Sequence, residues 1–204
     1  MPHCKYLSIY AVNFPAQLFR YFLETGVADS ARPLCSLAQD MGNRLFASTA
    51  TRGIGRRFHR LNLALCGMVA SEMSEHKNSL TDYRTWVDSL STLQVDNPDY
   101  HYELGYAYCE QGTALCNLDL YEEAASSLHA SIRIFESIKE FRPEWLTAPM
   151  TTLGLIYCEQ SKLVTAKTVL QEALQEQEKA FGKDDSHSYR QVSHHQYEID
   201  RLII

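Results

Sequence analysis

The chain has 204 residues, 45% hydrophobic and 22% charged, with a formal net charge of −6. It is long and apolar enough to bury a core, and its acidic balance excludes a nucleic-acid binder, which needs a broad basic face to neutralise phosphates. No stretch approaches the ~18 uninterrupted apolar residues of a membrane span, and the opening Met1-Pro2-His3-Cys4-Lys5 is not that of a signal peptide.

In chain order, Phe14, Leu18, Tyr21 and Phe22 share one helical face, and Leu34, Leu37, Ala38, Met41 and Leu45 share another. Pro15 and Pro33 suit helix starts. Thr51-Arg52-Gly53-Ile54-Gly55-Arg56 is glycine-rich, but no strand precedes it, so it fails the context of a phosphate-cradling loop and reads as a linker between hairpins. Helices are expected over 55–76 and 79–94. There Ala70, Met73, Trp86 and Ser89 fill small, large, large and small positions, although Asp82 stands where alanine is expected. Asn97-Pro98-Asp99 opens a third hairpin and Arg142-Pro143-Glu144 a fourth, while Gly182 closes the last long helix as a left-handed cap. Ser188 to Ile204 reads as a terminal helix. Strand signals are poor, with neither alternating β-branched runs nor Asn-Gly or Asp-Gly turns.

The strongest pattern is a self-match at a spacing of 42. Leu104 meets Leu146, Gly112 meets Gly154, Cys116 meets Cys158, Ala124 meets Ala166 and Leu128 meets Leu170, with Ser131 on Ala173 small on small. A second echo, at 49, sets Leu104-Gly105-x-x-Tyr108 on Leu153-Gly154-x-x-Tyr157. The two differ by one heptad. The register of 42 is preferred because it needs no insertion and aligns the second helices too. A fixed period in this range is the signature of a stacked repeat.

Leu153-Gly154-x-x-Tyr157, followed by Ala166-x-x-x-Leu170-x-x-Ala173, resembles the two helices of a tetratricopeptide repeat, whose usual period is ~34 residues. The longer period and Phe181-Gly182-Lys183-Asp184-Asp185-Ser186-His187 resemble the kinesin-light-chain variety, as in fungal signalling-type repeat proteins. Two departures stand out: no proline follows at Asp184, and Met150 replaces the tryptophan of the short-form first helix. The resemblance implies an all-α, right-handed α-solenoid of stacked antiparallel hairpins. Its divisions would be a degenerate N-terminal hairpin and linker at 1–54, repeats at 55–96, 97–141 and 142–187 (together 55–187), and a capping helix at 188–204.

In such a hairpin the first helix lines a concave groove. The candidate groove residues are Tyr106, Cys109, Thr113, Cys116 and Asn117 on the third hairpin, and Thr151, Leu155, Cys158 and Glu159 on the fourth. No lysine or arginine stands at these positions, so the family's carboxylate clamp is missing. The groove suits a peptide held by side-chain packing and amide hydrogen bonds. Tyr102 and Tyr106 share a helix face; the pair is either an exposed aromatic anchor or packing against the preceding hairpin.

Other clusters point to chemistry less well. Six cysteines, at 4, 35, 66, 109, 116 and 158, form no CxxC pair and read as free thiols of a reducing, cytoplasmic compartment. Cys109 and Cys116 are two helical turns apart, beyond disulfide reach. His187, His194 and His195 cluster near the end but fall on an expected polar capping helix, so neither a metal site nor a cofactor is expected. Charge is polarised, at +5 over residues 1–60 and −11 beyond. The basic cluster Arg52, Arg56, Arg57 and Arg60 reads either as a docking patch or, preferably, as a solvated helix face paired with acidic neighbours.

These features favour a non-enzymatic protein–protein interaction module that binds a protein or peptide segment, with no nucleic acid or membrane as partner. The alternative is an enzyme or small-molecule binder using the inner groove as a pocket. A homo-oligomer through the terminal helices is a third reading, since Leu202-Ile203-Ile204 is an apolar ending that needs cover.

Overall fold

The computed structural model describes residues 52–92 and 98–181, with Pro33, Leu37, Asp40 and Arg44 as isolated helical positions. The described residues form six continuous α-helices and one short 3-10 helix, in order: α1 Arg52–Glu72, α2 His76–Ser91, α3 Pro98–Cys116, α4 Tyr121–Ser137, η1 Pro143–Leu146, α5 Thr147–Glu159 and α6 Leu163–Phe181. No strand occurs among the described residues, and the fold class is all-α, of the helical-repeat solenoid type. The expected face at Phe14–Phe22, the cap at Gly182, the histidines from His187 onward and the terminal helix at 188–204 lie outside the described residues. The chain divides into two compact units, Met1–Ser89 and Leu90–Ile204.

In the first unit, α1 begins at Arg52, so Gly53 and Gly55 lie in its first turn. Residues 52–56 are therefore helical, neither a linker nor a phosphate loop. The helix ends at Glu72, one turn before the expected 76. Ser74 takes a left-handed φ of 59°, its N–H donates to the Ser71 carbonyl at 2.9 Å, and the Glu75 N–H donates to the Ala70 carbonyl at 2.8 Å. This pair of bonds is a Schellman cap.

The same cap recurs twice in the second unit. After α3, Asp119 has φ 60° and after α5, Ser161 has φ 58°. Leu120 N–H donates to Leu115 O at 3.0 Å and Lys162 N–H to Tyr157 O at 2.8 Å. The three left-handed residues are spaced 45 and then 42 apart.

The seam within each hairpin repeats in step with these turns. A Cβ added at Gly67 would stand 2.5 Å from the Tyr83 ring, one at Gly112 2.6 Å from Leu128 Cγ, and one at Gly154 2.5 Å from Leu170 Cγ. Glycine is required because only a bare Cα lets the facing side chain seat that closely. Tyr83, Leu128 and Leu170 are fully buried, each worth roughly 1.5–3 kcal/mol in water removed from its apolar surface. Ser79, Ala124 and Ala166, four residues before each large partner, are all 0% exposed. The second hairpin is thus offset from the third by 45 residues, not 42. Gly67 rather than Ala70 makes the close approach, Tyr83 rather than Trp86 fills it, and Ser79 rather than Asp82 holds the small position.

In the second unit α3 packs along α4 and α5 along α6, with α4 against α5 joining the two hairpins and α3 touching α5. Gly105 has a role of its own: its Cα faces the Phe135 ring, which an added Cβ would meet at 2.7 Å, and its carbonyl accepts a hydrogen bond from Ser131 Oγ at 2.7 Å. The echo at 49 is therefore a sequence coincidence, and the contacts follow 42. Pro143 starts η1, where a missing N–H costs nothing. Among the described residues no helix is long and apolar enough to cross a membrane.

Candidate functional site

The candidate groove face belongs to α3 and α5, whose small residues allow direct contact. Tyr102 and Tyr106 stack at 6.4 Å with 9° between their planes. Tyr102 also lies 4.8 Å from Trp145 and 5.8 Å from Phe135, and Tyr106 packs against the core of Phe135, Ile138 and Leu146. The stripe is therefore not a free-standing anchor, and it packs onto α4 and η1, forward along the chain. Burial pushes both hydroxyls above the usual phenol range, helped at Tyr106 by the Glu110 carboxylate. Tyr102 keeps an edge in solvent, at 40% exposure.

Cys109 is a correction. At 3% exposure it lines no open surface, and burial raises its thiol far above the normal range. Thr113 and Thr151 are half-buried, and their hydroxyls donate to carbonyls one turn back, of Cys109 at 3.1 Å and Thr147 at 2.7 Å. Each retains acceptor capacity only. Asn117 is exposed in the turn after α3, Leu155 is half-buried on α5, and Glu159 is exposed at its end.

Glu159 joins the two hairpins electrostatically. Burial first, and then the Glu159 carboxylate, raises the thiols of both Cys116 and Cys158, with Asp119 adding to Cys116. The thiolate is thereby disfavoured at Cys116 and Cys158, as burial disfavours it at Cys109, the opposite of what a nucleophile or a metal ligand requires. No group of three or more His, Cys, Asp or Glu residues converges for a metal among the described residues.

Sequence reasoning missed an acidic rim at the end of these helices. The Tyr121 hydroxyl donates to Asp119 Oδ1 at 2.8 Å, and this bond pushes its pKa up to about 12. Gln160 Nε2 donates to Glu122 Oε1 at 3.1 Å across the two hairpins. The signal was available as Asp119, Glu122 and Glu159, which the repeat spacing brings to one end of the hairpins. The basic cluster lies in the other unit: Arg56 and Arg57 are exposed, Arg60 is half-buried, and the Arg52 side chain lies outside the described residues.

No protein-family description matches the chain, and no curated protein matches its sequence. Among solved structures, BtubC (BKLC) from P. vanneervenii superposes with a TM-score of 0.67 at 15% identity, over 87% of this chain and 67% of that one. It is a kinesin-light-chain-like tetratricopeptide protein. The likeness is one of fold, a tetratricopeptide-like helical repeat.

Proposed function

We propose that the chain is a non-enzymatic interaction module, binding a protein segment along the α3–α5 face of its second unit. The reading is carried by the texture of that face. Half-buried Thr113, Thr151 and Leu155 are flanked by exposed Asn117 and Glu159, which suits a peptide that packs apolar side chains between polar rims. The raised thiols of Cys116 and Cys158 support a binding role over a reactive one. The acidic rim of Asp119, Glu122 and Glu159 favours a segment with basic or hydrogen-bond-donating residues at that end. A cytoplasmic adaptor is the role that fits this chemistry.

The test is selection from a displayed random-peptide library, followed by titration of the enriched peptides against the wild type and a Leu155→Asp, Glu159→Lys variant. Circular dichroism would check that the variant keeps its helices. Enriched peptides whose affinity falls about tenfold or more, ~1.4 kcal/mol, place binding on this face. Peptides indifferent to the variant remove the face from the proposal, and no enrichment removes the module.

A further inference from the structure

The first unit contains a cavity of about 360 Å³ between the end of α1 and the start of α2. Its size is at the small end for ligand sites, which run ~300–1,000 Å³. Cys66, Val69 and Ala70 of α1 form an apolar floor. Glu75, Asn78, Thr81 and Asp82 form the opposite wall.

Apart from the second hydrogen of the Asn78 amide, the hydrogen-bonding groups that this wall has to offer are acceptors. Asn78 Nδ2 already donates to Glu75 Oε2 at 3.0 Å, and Thr81 spends its hydroxyl proton on the Lys77 carbonyl at 2.9 Å. Thr81 therefore offers lone pairs to the cavity. Asp82 is half-buried, and no hydrogen bond or ion pair holds it among the described residues. A half-buried carboxylate without a counter-charge costs folding stability, because the protein supplies less than water did. The feature that would favour an anion, the N-terminal turn of α2, already carries Glu75.

We infer that this cavity is a receptor for a cationic head group on an aliphatic stem, the chemistry shared by a lysine or arginine side chain and a free alkylamine or alkylguanidine. The methylenes lie on Cys66, Val69 and Ala70. The ammonium or guanidinium donates to the Asp82 carboxylate and the Thr81 hydroxyl, with Glu75 adding charge. The cavity lies wholly in the unit Met1–Ser89 and the α3–α5 face in the other, so either site can fail while the other stands.

The test is a nitrogen–proton correlation titration of the full chain with four probes: agmatine, N-acetyl-lysine methylamide, a glycine-flanked lysine pentapeptide and N-acetyl-norleucine methylamide. The expected result is saturable movement of the Ala70, Thr81 and Asp82 amides with the cationic probes and little with the norleucine compound. Asp82→Asn should weaken cation binding about tenfold or more, the effect of losing one charge-assisted hydrogen bond. Ala70→Leu, which fills the floor, should abolish it and guards against an Asp82→Asn effect on folding. Binding of the pentapeptide as well as the free amine assigns the site to a polypeptide side chain; binding of agmatine alone assigns it to a free amine or guanidine. No saturable shift with any cation, equal binding of the norleucine probe, or cation binding indifferent to both variants overturns the inference.

Discussion

The close approach of Gly112 to Leu128 sets a quantitative test of the hairpin seam. An alanine Cβ at 112 would stand 2.6 Å from Leu128 Cγ, 2.8 Å from Cδ2 and 3.2 Å from the Ala124 carbonyl oxygen, against a favourable carbon–carbon separation of ~3.5–4.0 Å. The helix gains ~0.8–1.0 kcal/mol on exchanging glycine for alanine. Overpacking costs ~1–3 kcal/mol, and at the upper part of that range here, because Leu128 is fully buried and the Ala124 oxygen is backbone. Gly112→Ala should therefore destabilise by about 1–2 kcal/mol net. Leu128→Ala alone should cost ~2–5 kcal/mol. In the double variant the clash is gone and the new methyl refills part of the vacated space. Its cost should fall short of the sum by ~1–3 kcal/mol, the range of directly touching residues. Urea unfolding followed by far-ultraviolet circular dichroism reads all four corners of the cycle. A neutral or stabilising Gly112→Ala would refute the close approach, and additivity within ~0.5 kcal/mol would refute Leu128 as the residue it meets.

Other substitutions test separate parts of the structure. Gln177 is 1% exposed with neither amide atom hydrogen-bonded among the described residues, so Gln177→Met should stabilise by ~1–3 kcal/mol; destabilisation on thermal melting would mean that the amide is satisfied. Ser161→Gly should stabilise by up to ~1 kcal/mol by relieving the left-handed backbone, with Ser74→Gly following suit, whereas a loss at both would contradict the shared cap. Burial raises the Asp82 pKa above its usual 3.8, so the native state holds this proton more tightly than the unfolded chain and loses stability as pH rises through that window. Asp82→Asn should accordingly be more stable than the wild type at pH 7, with the gain vanishing as pH falls below 3.8, and a variant less stable at neutral pH would show the carboxylate to be paired. Cys109 should react with an alkylating reagent only on unfolding, while Cys116 and Cys158 react slowly in the native state; rapid native labelling of Cys109, read by peptide mass spectrometry, would place it at the surface.

Much of the second unit was legible in the sequence because one signal was carried by several residues at once. Gly112 and Gly154, Ala124 and Ala166, and Leu128 and Leu170 are the two faces of one seam, so their common spacing of 42 fixed both helices of each hairpin together. The groove was less legible. Positions counted from the glycine define an angle around the helix, but exposure depends on what lies above. Tyr106 is covered by Phe135 and its neighbours at the η1 corner, where Pro143 shapes a turn that no periodicity encodes, and Cys109 is buried in its own right. The acidic rim was missed for a related reason: Asp119, Glu122 and Glu159 are scattered in sequence and meet only when two hairpins stack.

The misreading of the second hairpin shows how a small error in register changes the meaning of a residue. Positions three apart share a helix face, so offsets of 42 and 45 both leave an apolar stripe pointing inward, and composition alone cannot separate them. What separates them is the turn, and it carries Ser74 rather than the glycine that marks such caps. At an offset of 42, Asp82 falls in the seam beneath the first helix, where a carboxylate is a defect to be excused. At 45, Ser79 takes the seam and Asp82 moves one turn along α2 to the cavity wall. The same carboxylate then stops being a flaw in a degenerate repeat. It becomes a half-buried charge whose stability cost has a use, because an apolar floor lies opposite and the space between is open to a cation.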